Sequence, residues 1–394
     1  MAVRPHRWSG ARGLGRPMGE QPAGGLRHWL AQAALPLWIE AGFDPARQLF
    51  HERLGFDGVP CNPPALRLMV QARQIATYVR AADDGHSAAG ATALACMAQV
   101  RRRYWRADGA PGWVFSLAPD GTLADTRRDL YAHAFILYAC AWSYRLSGER
   151  TWLETARQTV DEITTLFGTP QPGGYLDTVP GQDGFRRQNP HMHLLEAFLA
   201  LAEVGGGEMY LDHARALAGL GMRHFMLPGG AVGELFTPLW QPSAPLGQNR
   251  TEPGHVFEWA WLLAEYARLA GEGTDSPFLH ASAQLHAFGM RHGVCPDTLA
   301  VCDAVTDHGA PLEATTRIWQ QTEFIRQLAR RTAGGDGVAE NLLAPACARF
   351  ARAYVPPRLR GGWFDRLGAD GTPLDGYMPA SSLYHIYGAV REIR

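Results

Sequence analysis

Six polar side chains able to move protons or hold an oxyanion recur along the chain at a nearly constant step. Arg73, His133, His193, His255, Glu323 and His385 are separated by 60, 60, 62, 68 and 62 residues. A histidine can take or give a proton near neutral pH, and a guanidinium can hold a developing negative charge. The richest stretch is Thr251–Leu263, TEPGHVFEWAWLL, where His255 sits among Glu258 and three aromatics. Glu258 follows His255 by three residues and Glu196 follows His193 by three, so on a helix each carboxylate shares a face with its histidine. A step this long spans two helices, which predicts repeated helical hairpins, each sending one polar group to a shared centre.

The elements that would position these groups follow from periodicity. Leu26, Leu30, Ala33, Leu37 and Trp38 mark a first helix, and the Pro63–Pro64 pair opens a second that carries Leu66, Met69, Val70 and Arg73. Further helices are expected over 87–104, 126–146, 151–167, 190–204, 209–225, 253–270, 277–292, 312–331, 338–354 and 382–393. Twelve helices in six pairs predict an all-α fold, an (α/α)6 barrel. TWLETARQTVDEI shows one apolar stripe and suits an outer ring, whereas HMHLLEAFLALA and HVFEWAWLLAEY are apolar nearly all round and suit an inner one. The inner helices run parallel, so their N-termini gather at one mouth, where the site is expected. Asn189–Pro190 reads as an N-cap with proline behind it, and Glu252–Pro253 resembles it. His193 and His255 then lie in first turns, where the helix dipole favours neutral imidazole. Loops such as GAPGWVFSLAPDGT, PGGYLDTVPGQDG, PGGAVGELF and RGGWFDRLGADGT predict small hairpins forming a lip.

Composition excludes several functions. The net charge is -1, which predicts no nucleic-acid partner and no anionic membrane. The chain contains no lysine, so Schiff-base, pyridoxal phosphate and Walker-A chemistry are out. No apolar run is long enough to span a bilayer. The 6 cysteines are scattered without a CxxC pair, as expected of reduced thiols in a cytoplasmic protein. Residues 1–25, rich in Gly, Pro and Arg, read as a disordered tail, leaving 26–394 as a single catalytic domain. No metal is expected: His191 and His193 would point about 200° apart on a helix, and His51–Glu52 lacks the second histidine of a zinc motif.

EPGHVFEWAWLL, NPHMHLLEAFLAL, RIWQQTE and YHIYGA, in this order, make the chain similar to the N-acylglucosamine 2-epimerase family, which includes cellobiose 2-epimerases and mannose isomerases. The resemblance runs from about Leu26 to the C-terminus. It implies the same barrel and cofactor-independent proton transfer at a sugar, with His255 and His385 as acid and base. Arg73, Tyr131, His193, Glu258 and Trp319 resemble family substrate-binding positions, and Arg250 matches a family arginine before the central histidine. His133 and Glu323 join this set by their spacing. The expected activity is an aldose–ketose isomerase converting a mannose-type aldose to fructose through an enediolate. The alternative is a 2-epimerase of the N-acylglucosamine, glucose/mannose or cellobiose type. A glycoside hydrolase would need two facing carboxylates, and a non-enzymatic helical scaffold would need an exposed groove. Arg73, Arg186, Arg187 and Arg250 could serve a phosphate or sulfonate on the sugar. A monomer or homodimer is expected.

Overall fold

The computed structural model describes residues 22–393 apart from 62, 64, 170–172 and 182. The first helix, α1 (Pro22–Trp29), runs through a π-helical turn, Leu30–Ala34, into α2 (Leu35–Glu40). Residues 1–21 of the expected tail lie outside the described residues, and 22–25 are already helical. There follow α3 (Leu68–Asp83), α4 (Gly90–Tyr104), α5 (Leu130–Ser147), α6 (Thr151–Phe167), α7 (Gln188–Glu203), α8 (Glu208–Leu220), α9 (Pro253–Leu269), α10 (Pro277–Phe288), α11 (Ile318–Ala333), α12 (Gly337–Tyr354) and α13 (Ser382–Glu392).

Helices α3, α5, α7, α9, α11 and α13 pack side by side, and α13 returns onto α3, closing an inner ring. The others cover it from outside. Sequence dictates which is which. In α5 every residue from Ala132 to Ser143 is buried, so it is stable only when covered on all sides. In α6, Trp152, Thr155, Ala156, Thr159, Val160 and Ile163 form one buried stripe. The architecture is the (α/α)6 barrel.

The mouth is stitched by six short ladders. The strand before each inner helix pairs antiparallel with a strand that follows a neighbouring outer helix: Leu66–Arg67 with Ser116–Leu117, Arg128–Asp129 with Thr178–Val179, Arg186–Arg187 with Leu235–Phe236, Arg250–Thr251 with Ala304–Thr306, and Thr316–Arg317 with Arg366–Leu367. Tyr377–Pro379 then pairs with Arg53–Gly55 and completes the circle. Strands this short hold only because the helices behind them fix their register. The expected lip is therefore a circle of six separate small sheets, each joining the strand before a helix pair to the strand after it, rather than a set of local hairpins.

This ring moves several expected boundaries. The helix expected over 312–331 begins at Ile318, because Pro311–Glu313 pairs with Ala304–Thr306 and Thr316–Arg317 joins the ring. Leu66 is in a strand and α3 begins at Leu68; Pro64 lies outside the described residues. Asn189 caps nothing, since α7 starts at Gln188, and Glu252 makes no side-chain cap either.

A second repeated device ties the outer loops to the inner helices. Four residues past its rim strand, an inner helix offers a side-chain acceptor to a loop amide. Phe50 N donates to Gln71 Oε1 (2.7 Å), Trp113 N to His133 Nε2 (3.1 Å), Tyr175 N to His191 Nε2 (3.0 Å) and Val301 N to Gln321 Oε1 (3.4 Å). Both histidines donate from Nδ1 to a carbonyl, of Asp129 at 2.7 Å and Arg187 at 2.9 Å, which leaves Nε2 as the acceptor.

Candidate active site

Two residues further along, about 200° round each helix, side chains face the barrel axis instead. There stand Arg73, Phe135, His193 and Glu323, and the Phe135 ring packs on Arg73 at 4.2 Å and on His193 at 4.7 Å. His133, expected at the site, is two residues out of this register. It is fully buried, holds the Trp113 loop and does not line the cavity.

The cavity at the mouth holds about 400 Å³. Arg73, Tyr131, His193, His255, Glu258, Trp319 and His385 line it, and Glu323 stands behind His385. The indole of Trp319 lies between two imidazoles, 4.8 Å from the His255 ring and 5.7 Å from that of His385. Gly254 makes room for it, since a Cβ there would meet the indole at 2.5 Å.

Each of these imidazoles is backed by a carboxylate. His255 Nδ1 lies 2.9 and 3.0 Å from the two oxygens of Glu234, which also accept from Gln188 Nε2 and Glu252 N. Burial alone would depress the His255 pKa, but the Glu234 charge and hydrogen bond outweigh it and hold the group above its ordinary 6.5. The helix dipole does not keep this histidine neutral, as the sequence suggested; a full charge at hydrogen-bond distance overrides it. His385 Nδ1 lies 2.7 Å from Glu323 Oε1. Here burial, aided by Arg73, drives the imidazole well below 6.5, and Glu323 is itself pushed up to about 7 by burial against the pull of Arg326.

Below these pairs lies a charged floor. Arg326 donates to Glu196 Oε1 (3.1 Å) and Glu323 Oε2 (3.4 Å); Glu196 also accepts from Tyr384 Oη and faces His193 Nδ1 at 3.3 Å. Burial holds His193 down at about 3, hence neutral. Glu258 is fully buried and neither oxygen has a hydrogen-bond partner. Burial and the nearby Glu323 and Glu196 raise its pKa well above the carboxylate range, so it stands as a neutral acid able to donate. Arg73 donates to Tyr131 Oη and the Ser381 carbonyl and has no carboxylate partner among the described residues. Two donor groups are close enough to hold a cation, His193–Glu196–Glu258 and Glu258–Glu323–His385, although Arg326 already compensates Glu196 and Glu323.

Other expected groups lie elsewhere. Arg250 is bound to Glu252 and Glu313, and Arg186 donates to the Gly173 carbonyl and stacks on Trp240; neither lines the cavity. Sequence reasoning missed Glu234, Tyr384, Arg326 and Asn189, whose Oδ1 is buried without a partner. A signal for Glu234 did exist. The residue before the rim strand that follows each outer helix is Glu52, Phe115, Asp177, Glu234, Asp303 or Asp365, acidic in five of six. Glu52, Asp177 and Asp303 pair with the arginine that ends the next rim strand along the chain, the one leading into the following inner helix: Arg67, Arg187 and Arg317. After Glu234 the next rim strand ends in Thr251 rather than an arginine, and the carboxylate meets His255 instead.

The family model for N-acylglucosamine 2-epimerase (GlcNAc 2-epimerase) matches residues 50–389. The chain is 32% identical to the mannose-6-phosphate isomerase of Rhizobium meliloti over 94% of its length and 96% of the relative's. It is 26% identical to the D-mannose isomerase of Thermobifida fusca, covering 92% of this chain and 95% of that one. The cellobiose 2-epimerase structure from Spirochaeta thermophila superposes with a TM-score of 0.81 at 23% identity, covering 94% of this chain and 95% of that one. This last likeness concerns the fold. Among the described residues, no helix is long and apolar enough to cross a membrane.

Proposed function

The chain belongs to the N-acylglucosamine 2-epimerase family and is a sugar isomerase or epimerase, and we propose that it interconverts a mannose-type aldose and fructose through an enediolate. One observation carries this reading. Two imidazoles open on one cavity, each backed at Nδ1 by a carboxylate, and their surroundings bias them in opposite directions. His385 is the base: its Nδ1–H donates to ionised Glu323, and the Nε2 lone pair takes the proton from C2 of the open-chain sugar. His255, protonated and held by Glu234, gives its proton to O1 as the carbonyl becomes an enediol. Arg73 and the neutral Glu258 hold the oxygens while charge develops. Tyr131, His193 and Trp319 shape the pocket around the carbon chain. Return of the proton to C1, with loss of the O2 proton, gives the ketose. In the second reading O1 stays an enediolate oxygen held by Arg73, His385 keeps the proton taken from C2, and His255 keeps its own proton until it gives it to the opposite face of C2, which yields the epimer.

The charges on the wall support an uncharged sugar. Arg187 is held by Asp177 (2.9 Å) and Asp183, and Arg317 by Glu252 (2.8 Å) and Asp303 (3.1 Å). Glu234, Glu252 and Asp365 line the same cavity, so once Arg73 is engaged by the reacting oxygens a phosphate would have to displace carboxylates to reach Arg187 or Arg317. Six free thiols, five of them buried, support a reducing, cytoplasmic setting.

Incubation with mannose, fructose, glucose, cellobiose and mannose 6-phosphate in D₂O, followed by NMR, tests the proposal. Deuterium at C1 of fructose formed from mannose is expected, with mannose used in preference to its 6-phosphate. Deuterium at C2 of an epimer would replace the isomerase reading with the epimerase one, and absence of exchange with every sugar would overturn both.

A further inference from the structure

The inner helices end on a second cavity, at the opposite end of the barrel axis. It holds about 250 Å³ and is lined from the C-terminal halves of all six, including Arg80, Trp142, Trp261, Arg326 and Arg391. Arginines in last turns ordinarily offset the partial negative charge of helix ends. Four of the five here also have carboxylates: Arg268 and Arg330 meet Glu265, Arg391 meets Asp84, and Arg326 meets Glu196 and Glu323.

Arg80 is different. It is 4% exposed, its Nε is buried without a hydrogen bond, and its guanidinium has no carboxylate or carbonyl partner among the described residues. Asp84, one turn on, acts on it through space but bonds Arg391 and Tyr387 instead. What surrounds the guanidinium is aromatic: the rings of Trp142, Tyr387 and Tyr138 lie at 4.9, 5.4 and 5.5 Å. Cation–π attraction offsets part of the cost of burying this charge, yet it satisfies no N–H in the guanidinium plane. A planar donor fork left open in a polar cavity matches the two oxygens of a phosphate or carboxylate.

We propose that this end of the barrel is a second ligand site, for a small anion carrying a phosphate or carboxylate group, with Arg80 as its anchor. The volume lies below the ~300–1,000 Å³ of pockets for drug-sized ligands, so the occupant is a small acid rather than a nucleotide. Arg326 forms the partition between the two cavities: it faces the Trp261 ring at 3.6 Å on this side and holds Glu196 and Glu323 under the catalytic mouth on the other. The binding claim does not depend on which sugar reaction the mouth performs.

Isothermal titration of the full chain with inorganic phosphate, and separately with succinate, tests it. Saturable binding in the millimolar range is expected for at least one anion, and the arm that binds identifies the group. Arg80→Met should weaken it about 10-fold or more, the loss of a charged hydrogen-bond pair. Arg73→Met, altered at the mouth, should leave it unchanged. Should Arg80→Met fail to fold, Arg268→Ala on the exposed edge of the same cavity must still weaken binding. No saturable binding by either anion, binding that survives both far-end changes, or binding abolished by Arg73→Met would overturn the assignment.

Discussion

In the proposed reaction Glu323 governs when His385 acts as the base, because the hydrogen bond at Nδ1 reverses with the protonation of its partner. Ionised, Glu323 accepts Nδ1–H and leaves the Nε2 lone pair open to the cavity; protonated, it donates to Nδ1 and moves the ring proton to Nε2. Because burial pushes Glu323 up to about 7, turnover should rise as pH increases through that value. In Glu323→Gln this acid limb should vanish from the pH profile of kcat, with kcat reduced roughly 10²-fold; an unmoved limb would show that another group titrates there. His255 works in the opposite sense. Glu234 holds it above 6.5 against burial, so in Glu234→Gln burial wins and the alkaline fall in rate should shift to lower pH. A profile identical to wild type would remove Glu234 from the mechanism. At this scale the sequence was only half legible. His255, His385 and Arg73 stood out by type, spacing and motif. Their partners did not, because Glu234 and Arg326 come from other elements, and His133 misled because the loop anchors repeat with the same period as the axis-facing groups, two residues away.

The anchoring of outer loops by Gln71, His133, His191 and Gln321 gives the elements a separable energetic role. Removing the acceptor for the buried Trp113 amide by His133→Ala should cost about 1–3 kcal/mol in urea unfolding while leaving KM and kcat near wild type. Altered KM with unaltered stability would return this residue to the substrate. His133→Gln should recover most of the loss, since glutamine fills the same place in two other repeats. The pair also predicts a pH effect. Burial depresses His133 and His191 to about 4, below the ~6.5 of an unfolded chain, so the unfolded state binds more protons between these values. Their stability contribution is complete above about 6.5 and is lost as pH falls through 4, at up to ~1.4 kcal/mol per pH unit for each ring. Between pH 7 and pH 5, wild type should therefore lose more stability than His133→Gln, and equal losses would mean that the ring takes up its proton as readily folded as unfolded. Helix positions and the division into two rings were legible from apolar periodicity. The start of α11 was not, because the pairing that makes 311–317 a strand region lies in other loops.

A repeat of about 62 residues does not by itself distinguish a closed barrel from an open solenoid, and closure decides how the molecule unfolds. In a solenoid the terminal repeat covers one neighbour and its removal trims the stack. Here α13 packs on both α11 and α3, Tyr377–Pro379 pairs with Arg53–Gly55, and Gln74 Nε2 donates to the Ala380 carbonyl at 3.2 Å across 306 positions of sequence. Periodicity cannot report such contacts, since they join the two ends of the repeat series. A chain shortened to end at Asp375 loses that strand and helix together, uncovering the faces of α3 and α11 on which α13, with its buried Leu383, Ile386 and Val390, packs. It should lose the single sharp thermal transition and bind a hydrophobic dye throughout, whereas His385→Ala, which removes only the proposed base from the same helix, should melt within a few degrees of wild type. If the shortened chain melted as sharply as the full one, with a transition merely lowered, five hairpins would suffice for cooperativity. The last helix would then matter for chemistry alone.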